Sequence, residues 1–180
     1  MAIQIEKTFQ VEEPIEQVWA LLSDPRRVAI CVPGAKITEQ VNDSTYKGAI
    51  SVRVGPSTTD YKGEVQIVRA DPQNHEIEIL GKGQDVKGRG SASMKMTGRL
   101  RALESGGTEV TGISELNVVG ILAQMGTRVI NEVSNAVFAQ FIKNFQAQLK
   151  SPEAVLPESK PMSAASVAWA AAKGAFHRDS

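Results

Sequence analysis

The chain has 180 residues, 42% of them hydrophobic, which is enough for one domain with a sizeable core. Its 20 Lys and Arg residues balance its 20 Asp and Glu residues, so it lacks the overall positive charge typical of nucleic-acid-binding proteins, and nucleic acid is not expected as a partner. A single cysteine, Cys31, excludes an internal disulfide bond and is expected to be a small buried hydrophobic side chain.

The first segment of the chain alternates polar and apolar residues, as a half-buried strand does. Its apolar residues share one parity: Ile3, Ile5, Phe9 and Val11. Lys7 is the only break in this parity. Pro14 then begins a short amphipathic helix with glutamates around its first turn. Asp24 caps a second short helical segment, which begins at Pro25.

Alternating segments recur from residue 35 to residue 119 and predict about six antiparallel strands. Turn signals separate them at residues 42–43, 55–56, 71–72 and 105–107. The clearest strand, residues 92–102, has Ala, Met, Gly and Leu on one face and Ser, Thr, Lys and Arg on the other. Such one-sided alternation predicts a sheet with one covered face and one solvated face.

The cover of the sheet is predicted to come last, as one helix over residues 121–149. Its apolar stripe at three- and four-residue steps comprises Leu122, Met125, Val129, Val133, Val137, Phe141 and Phe145. The order of elements predicts an α+β fold: a curved antiparallel sheet of about seven strands, wrapped on a long C-terminal helix, with two short helices after strand 1. Residues 1–150 form this domain.

Glycines recur on the inward parity of the strands, where they can both bend the sheet and leave space between sheet and helix. Mostly apolar walls with a few polar groups are typical of a small-molecule site. The predicted apolar lining comprises Val52, Val54, Ile67, Met94, Met96, Leu116, Val118, Leu122, Met125 and Val129. Tyr61 and Ser114 share the inward parity and can hydrogen-bond either a ligand or nearby backbone and water.

Signals for catalysis or metal binding are poor. His75 follows a turn, where a solvated side chain is expected, and His177 lies near the C-terminus; neither has a set of partner residues in the sequence. Residues 81–90 resemble a phosphate-binding loop, but a strand follows instead of a helix. A mobile loop with Lys82, Lys87 and Arg89, placed to gate the cavity or meet an acidic partner, is the better interpretation. No catalytic residue, metal or tightly bound cofactor is predicted.

The end of the chain differs in composition from the domain. Three prolines predict an extended linker over residues 151–162, followed by an amphipathic tail over residues 163–180. The tail combines aromatic and basic residues suited to a membrane surface: Trp169, Lys173, Phe176 and Arg178. A protein partner and a disordered segment are the alternatives. Because no secretory signal or apolar span is found, we expect a cytoplasmic protein with peripheral membrane association.

Several stretches carry a resemblance to a known family. They are PIEQVWALLSDP at residues 14–25, CVPG at 31–34, VRVGP at 52–56, YKG at 61–63, GRGSA at 88–92 and GILAQMG at 120–126. Through them, residues 1–150 resemble the carbon monoxide dehydrogenase CoxG family, a branch of the START/Bet v 1-like helix-grip proteins (SRPBCC superfamily).

The resemblance implies a non-enzymatic accessory protein of a molybdenum hydroxylase, such as carbon monoxide dehydrogenase. Members of that family are thought to place the enzyme at the cytoplasmic membrane and to carry an apolar electron acceptor, such as a quinone or another lipid-like molecule, in the cavity. Two alternatives remain: an assembly or maturation factor without a physiological ligand, and a cyclase or hydrolase that uses the cavity. An enzyme needs an inward proton-transfer group, for which Tyr61 and Ser114 are the candidates.

Overall fold

Seven strands and four helices follow one another in the computed structural model, which describes residues 1–151. The strands are β1 (Ala2–Val11), β2 (Ala35–Gln40), β3 (Thr45–Val54), β4 (Ser57–Asp71), β5 (Glu76–Asp85), β6 (Gly90–Ala102) and β7 (Thr108–Gly120). The helices are α1 (Ile15–Leu22), α2 (Pro25–Cys31), α3 (Ile121–Gln124) and α4 (Thr127–Lys150). Each predicted turn lies between two strands, so the strand boundaries follow the Gly, Pro and Asn signals of the sequence.

The strands form one antiparallel sheet in the order β1-β7-β6-β5-β4-β3-β2. Strands β2 to β7 are a meander, and β1 pairs with β7 at the far edge. In β6, Gly98 and Leu100 are buried on the face toward the helices, while Lys95 and Arg99 are exposed on the other face. We call these the concave face and the outer face. The predicted α+β fold, a curved sheet with a long C-terminal helix, is confirmed.

A row of glycines bends the sheet. Gly48 of β3, Gly63 of β4 and Gly83 of β5 are neighbours in the strand register. A Cβ on Gly63 would overlap the backbone carbonyl oxygen of Lys82, and one on Gly48 would lie 2.7 Å from the carbonyl oxygen of Lys36. Only glycine permits such close backbone approach, so the bending role predicted for inward glycines is confirmed at this row.

Helices α1 and α2 cover one end of the concave face. As predicted, Asp24 caps α2: its carboxylate accepts a 3.1 Å hydrogen bond from the backbone N–H two residues on. Val18 and Leu21 of α1 are fully buried, as is Cys31 of α2. Burial raises the pKa of the Cys31 thiol to about 11, so the thiol stays protonated, and it donates a 3.4 Å hydrogen bond to the carbonyl oxygen of Arg27. The predicted buried role of this cysteine is confirmed.

The C-terminal helix is interrupted near its start. The prediction of one helix over residues 121–149 is wrong there, because α3 and α4 are separated at Gly126. Gly126 has a φ of +86°, a left-handed conformation that ends a helix and that glycine adopts most readily. Beyond this break α4 continues for 24 residues, or roughly 36 Å at 1.5 Å per residue. This length suffices to cross the concave face.

The last helix ends at Lys150, where the sequence predicted the end of the domain. Apart from Ser151, the predicted linker and the tail with Trp169, Lys173, Phe176 and Arg178 lie outside the described residues. Within residues 1–151, no helix is long and apolar enough to cross a bilayer.

Candidate ligand-binding site

Buried apolar side chains between the sheet and the helices form two separate clusters. The first core cluster lies under α1 and α2 and comprises Val11, Val18, Leu21, Cys31, Leu100, Val110, Phe145 and Leu149. The second core cluster lies at the opposite ends of β1 and β7 and comprises Ile3, Val54, Tyr61, Val118, Leu122 and Ile130. Helix α4 connects the two, because Ile130 near its start belongs to the second cluster and Phe145 near its end to the first.

Between the two clusters the concave face is incompletely covered. One row of register partners crosses five strands, and all of its members are only half-buried: Ile5, Ser114, Met96, Ile79 and Ile67. Helix α4 lies over this face, yet its backbone makes its repeated close approaches to α1, α2, β1 and β3, and not to the central strands. Because protein interiors are normally close-packed, half-exposed apolar side chains beneath a covering helix indicate an internal space. We call this space the hollow.

The structure divides the predicted ligand-binding residues into two groups. Eight belong to the second core cluster or pack against it: Val52, Val54, Tyr61, Leu116, Val118, Leu122, Met125 and Val129. The other four are half-buried on the concave face, in or beside the row between the clusters: Ile67, Met94, Met96 and Ser114. The first group therefore forms a packed end of the hollow, and the second group lines its open part.

The hydroxyl group of Tyr61 is the one buried side-chain polar atom without a hydrogen-bond partner among the described residues. The side chain is 4% exposed and packs in the second core cluster. Burial, together with the negative charge of Asp85, raises the pKa of the phenol, so the hydroxyl keeps its proton. A buried donor left unpaired costs about 1–3 kcal/mol, and a ligand oxygen that accepted its proton would remove that cost.

Asp85 and Arg89 form an ion pair beside Tyr61 that the sequence analysis missed. The Asp85 carboxylate accepts hydrogen bonds from Nε of Arg89 at 2.6 Å and from its backbone N–H at 2.9 Å. The side chain of Asp85 is fully buried, and the bond from the Arg89 guanidinium lowers its pKa to about 2. Asp85 is the register partner of Tyr61 on the concave face. An ordinary aspartate in a loop-like stretch of sequence offered no signal for this pairing.

The prediction of a mobile loop over residues 81–90 is largely wrong. Residues 81–85 belong to β5 and residue 90 belongs to β6, so the connection is only four residues long. Lys82 is exposed on the outer face of β5, whereas Arg89 is turned to Asp85. The three cations therefore do not form one basic loop surface. The glycines of this stretch, which suggested a loop, instead permit the bend of the sheet.

The expectation that His75 is solvated is also wrong. Its side chain is 17% exposed, and its Nε2 lies 3.3 Å from Oε1 of Glu16. Its ring packs edge-on against Trp19 of α1, with the centroids 5.7 Å apart. This contact lies at the α1 end of the molecule, away from Tyr61. Among residues 1–151, no three His, Cys, Asp or Glu side chains converge as metal ligands would.

Two depressions lie on the outer face of the sheet, and both are wide open to solvent. Their linings share Lys82, Ser93 and Asn117. Charged and amide side chains without enclosure do not suit an apolar ligand, which requires most of its surface to be buried. The hollow is therefore the better candidate site.

Comparison with known proteins identifies a family. The family model described as carbon monoxide dehydrogenase CoxG matches residues 8–150. No curated protein matches the sequence.

Solved structures share the fold at low sequence identity. A conserved protein from Geobacillus kaustophilus is 20% identical, with a TM-score of 0.74 and coverage of 82% of this chain and 95% of that one. The Zhui aromatase/cyclase from Streptomyces sp. R1128 is 14% identical, with a TM-score of 0.62 and coverage of 86% and 100%. A START superfamily protein from Mycobacterium smegmatis is 13% identical, with a TM-score of 0.56 and coverage of 83% and 98%. At these identities the likeness shows a START-like fold alone.

Proposed function

Because the chain belongs to the carbon monoxide dehydrogenase CoxG family, we propose that it is a non-enzymatic accessory protein of a molybdenum hydroxylase, and that it binds an apolar ligand in the hollow. The observation that carries the proposal is the half-buried apolar row between the two core clusters, with the unpaired hydroxyl group of Tyr61 at its packed end. Apolar walls with few polar groups are what small-molecule sites share.

A quinone is the ligand class that best suits these walls. Its ring is flat, and Met94 and Met96 on neighbouring positions of the concave face have thioether side chains that adapt to flat or variable ligands. Its carbonyl oxygens are hydrogen-bond acceptors, which is the partner that the Tyr61 hydroxyl lacks. An isoprenoid chain would extend the contact along the apolar lining. Other lipid-like molecules with an acceptor oxygen share this chemistry.

The same proposal gives the C-terminal segment a role at the cytoplasmic membrane. Trp169 and Phe176, together with Lys173 and Arg178, are residue types of an interfacial anchor. Alanine dominates the rest of this segment, so its membrane affinity alone is expected to be weak. When the protein is bound to a hydroxylase, several weak contacts to one membrane would act together. The accessory protein would thereby bring enzyme, membrane and ligand into one assembly.

Native mass spectrometry with lipid extraction tests the ligand-binding part of this proposal. The full chain is purified gently, without detergent, from its own host. We expect a stoichiometric quinone or other apolar molecule that leaves the protein when it is unfolded. A protein that is empty under these conditions, and that binds no added quinone, would contradict ligand binding and would favour the assembly-factor alternative.

A second candidate function is that of a cyclase, favoured by the likeness in fold to an aromatase/cyclase. Tyr61 and Ser114 on the concave face are the groups able to act in proton transfer. The two functions differ in the fate of the ligand. A carrier returns its ligand chemically unchanged after incubation, whereas a cyclase releases a product that mass spectrometry detects.

A further inference from the structure

Lys7 interrupts the apolar parity of β1 and lies on the concave face. Its neighbours on that face are Ile5 and Phe9, and, like them, it is half-buried. In the described strands, the only other charged residue on this face is Asp85. A cation at such a position is costly unless its ammonium group finds water or a partner, so its presence needs an explanation.

No side chain of the described residues pairs with Lys7. Its ammonium group makes no hydrogen bond or ion pair within residues 1–151. Asp85 is occupied by Arg89. The single acidic residue of α4, Glu132, lies 3.4 Å from Arg128. The fold therefore supplies a cationic hydrogen-bond donor on the wall of the hollow and leaves its acceptor to another molecule.

Open space lies next to this lysine. Gly112 of β7 is its register partner, and a Cβ placed on Gly112 would meet no atom within 4 Å. One strand further on, Gly98 is different, because a Cβ there would lie 3.6 Å from Leu22 of α1. The next inward residue of β7 is Ser114, whose hydroxyl group makes no hydrogen bond within the described chain. Two unpaired donors thus flank an unfilled site.

We propose that Lys7 and Ser114 form the polar end of the hollow and hold an acceptor oxygen of the ligand above Gly112. This inference rests on the proposed function, since it concerns the same hollow. The acceptor is a carboxylate or carbonyl oxygen on an apolar body, whose remainder lies against Ile5 and Met96. A hydrogen bond from an ammonium group is strong in apolar surroundings, so this contact sets the orientation of the ligand.

The test measures binding of two probes to the delipidated full chain: laurate, which has a carboxylate, and decylubiquinone, which has carbonyl oxygens. Lys7→Met keeps the apolar stem and removes the ammonium group, and Lys7→Arg restores a cation. Lys95→Met is the matched control, because Lys95 is exposed on the outer face of β6. We expect Lys7→Met to weaken binding of at least one probe about tenfold or more, Lys7→Arg to recover part of it, and Lys95→Met to have no effect.

The two probes separate the possible acceptors. Loss confined to laurate identifies a carboxylate acceptor, and loss confined to decylubiquinone identifies a carbonyl acceptor. If the wild type binds both probes and Lys7→Met binds them equally well, the inference is wrong and the ammonium group reaches water instead. If the wild type binds neither probe, ligand binding in the hollow fails, and this inference with it.

A second variant tests the space itself. Gly112→Val adds a side chain where no atom lies within 4 Å of the added Cβ, so the strand is expected to fold normally. The added methyl groups would occupy the position of the acceptor oxygen and weaken binding of both probes. Unchanged affinity in a folded Gly112→Val protein would overturn the placement of the ligand above Gly112.

Discussion

Replacing Tyr61 with phenylalanine should change stability and ligand binding in opposite directions. In the ligand-free protein the Tyr61 hydroxyl is buried without a partner, and its removal relieves a cost of about 1–3 kcal/mol. For a domain of this length, each kcal/mol raises Tm by about 2–4 °C. The ring remains in the second core cluster, so little packing is lost. The ligand-bound protein, in contrast, would lose a hydrogen bond to the ligand oxygen.

Thermal unfolding of the delipidated full chain, with and without added decylubiquinone, measures both effects. We expect Tyr61→Phe to raise Tm without the quinone and to lower the additional stabilisation that the quinone provides. Tyr46→Phe is the control, because Tyr46 also lies on the concave face but has no buried unpaired hydroxyl. A fall in Tm of ligand-free Tyr61→Phe would refute the reasoning, since it would mean that the fold itself satisfies the hydroxyl.

Three further predictions concern other parts of the molecule. Met96→Arg places a charge in the hollow and should abolish ligand retention without reducing binding to vesicles, while Ser93→Arg on the outer face should retain the ligand; equal ligand content in both variants would contradict the site. Deleting residues 151–180 should leave cooperative thermal unfolding intact but reduce cosedimentation with anionic vesicles; loss of cooperativity would refute a separate domain. Asp85→Asn should lower stability at neutral pH, where the wild-type carboxylate is ionised. Because its folded pKa of about 2 lies below the ordinary 3.8, the stability that its charge contributes is present above 3.8 and is lost as the pH falls toward 2. The difference between variant and wild type should therefore shrink over that range, and a constant difference would contradict the ion-pair explanation.

The predicted site and the structural site overlap because strand alternation assigns faces well. Once Met94 and Met96 are placed inward by the parity of β6, their register partners on β5 and β7 follow. Which of these residues pack tightly and which remain half-exposed did not follow. Val118 is 1% exposed and Met96 is half-buried, although both share the apolar inward pattern. The distinction depends on where α4 approaches the sheet, which is a property of the whole fold.

Residues with ordinary sequence surroundings were the ones missed. Lys7 was visible as a break in the pattern, but a single lysine in an edge strand carries no information about its neighbours. Its meaning comes from Gly112, which lies more than a hundred residues away in sequence and directly opposite in the sheet. The pairing of Asp85 with Arg89 likewise depends on a four-residue connection that the glycine-rich sequence made look longer.

The sequence by itself determined the elements and the class of fold, because periodicity, turn residues and caps act over a few neighbouring residues. It also carried the family, through stretches such as CVPG at residues 31–34 and GILAQMG at residues 120–126. Only the tertiary structure decided that the core is divided into two clusters with a hollow between them. Coiling of the sheet at Gly63 and the path of α4 over it set that space, and both arise from contacts between residues far apart in the chain.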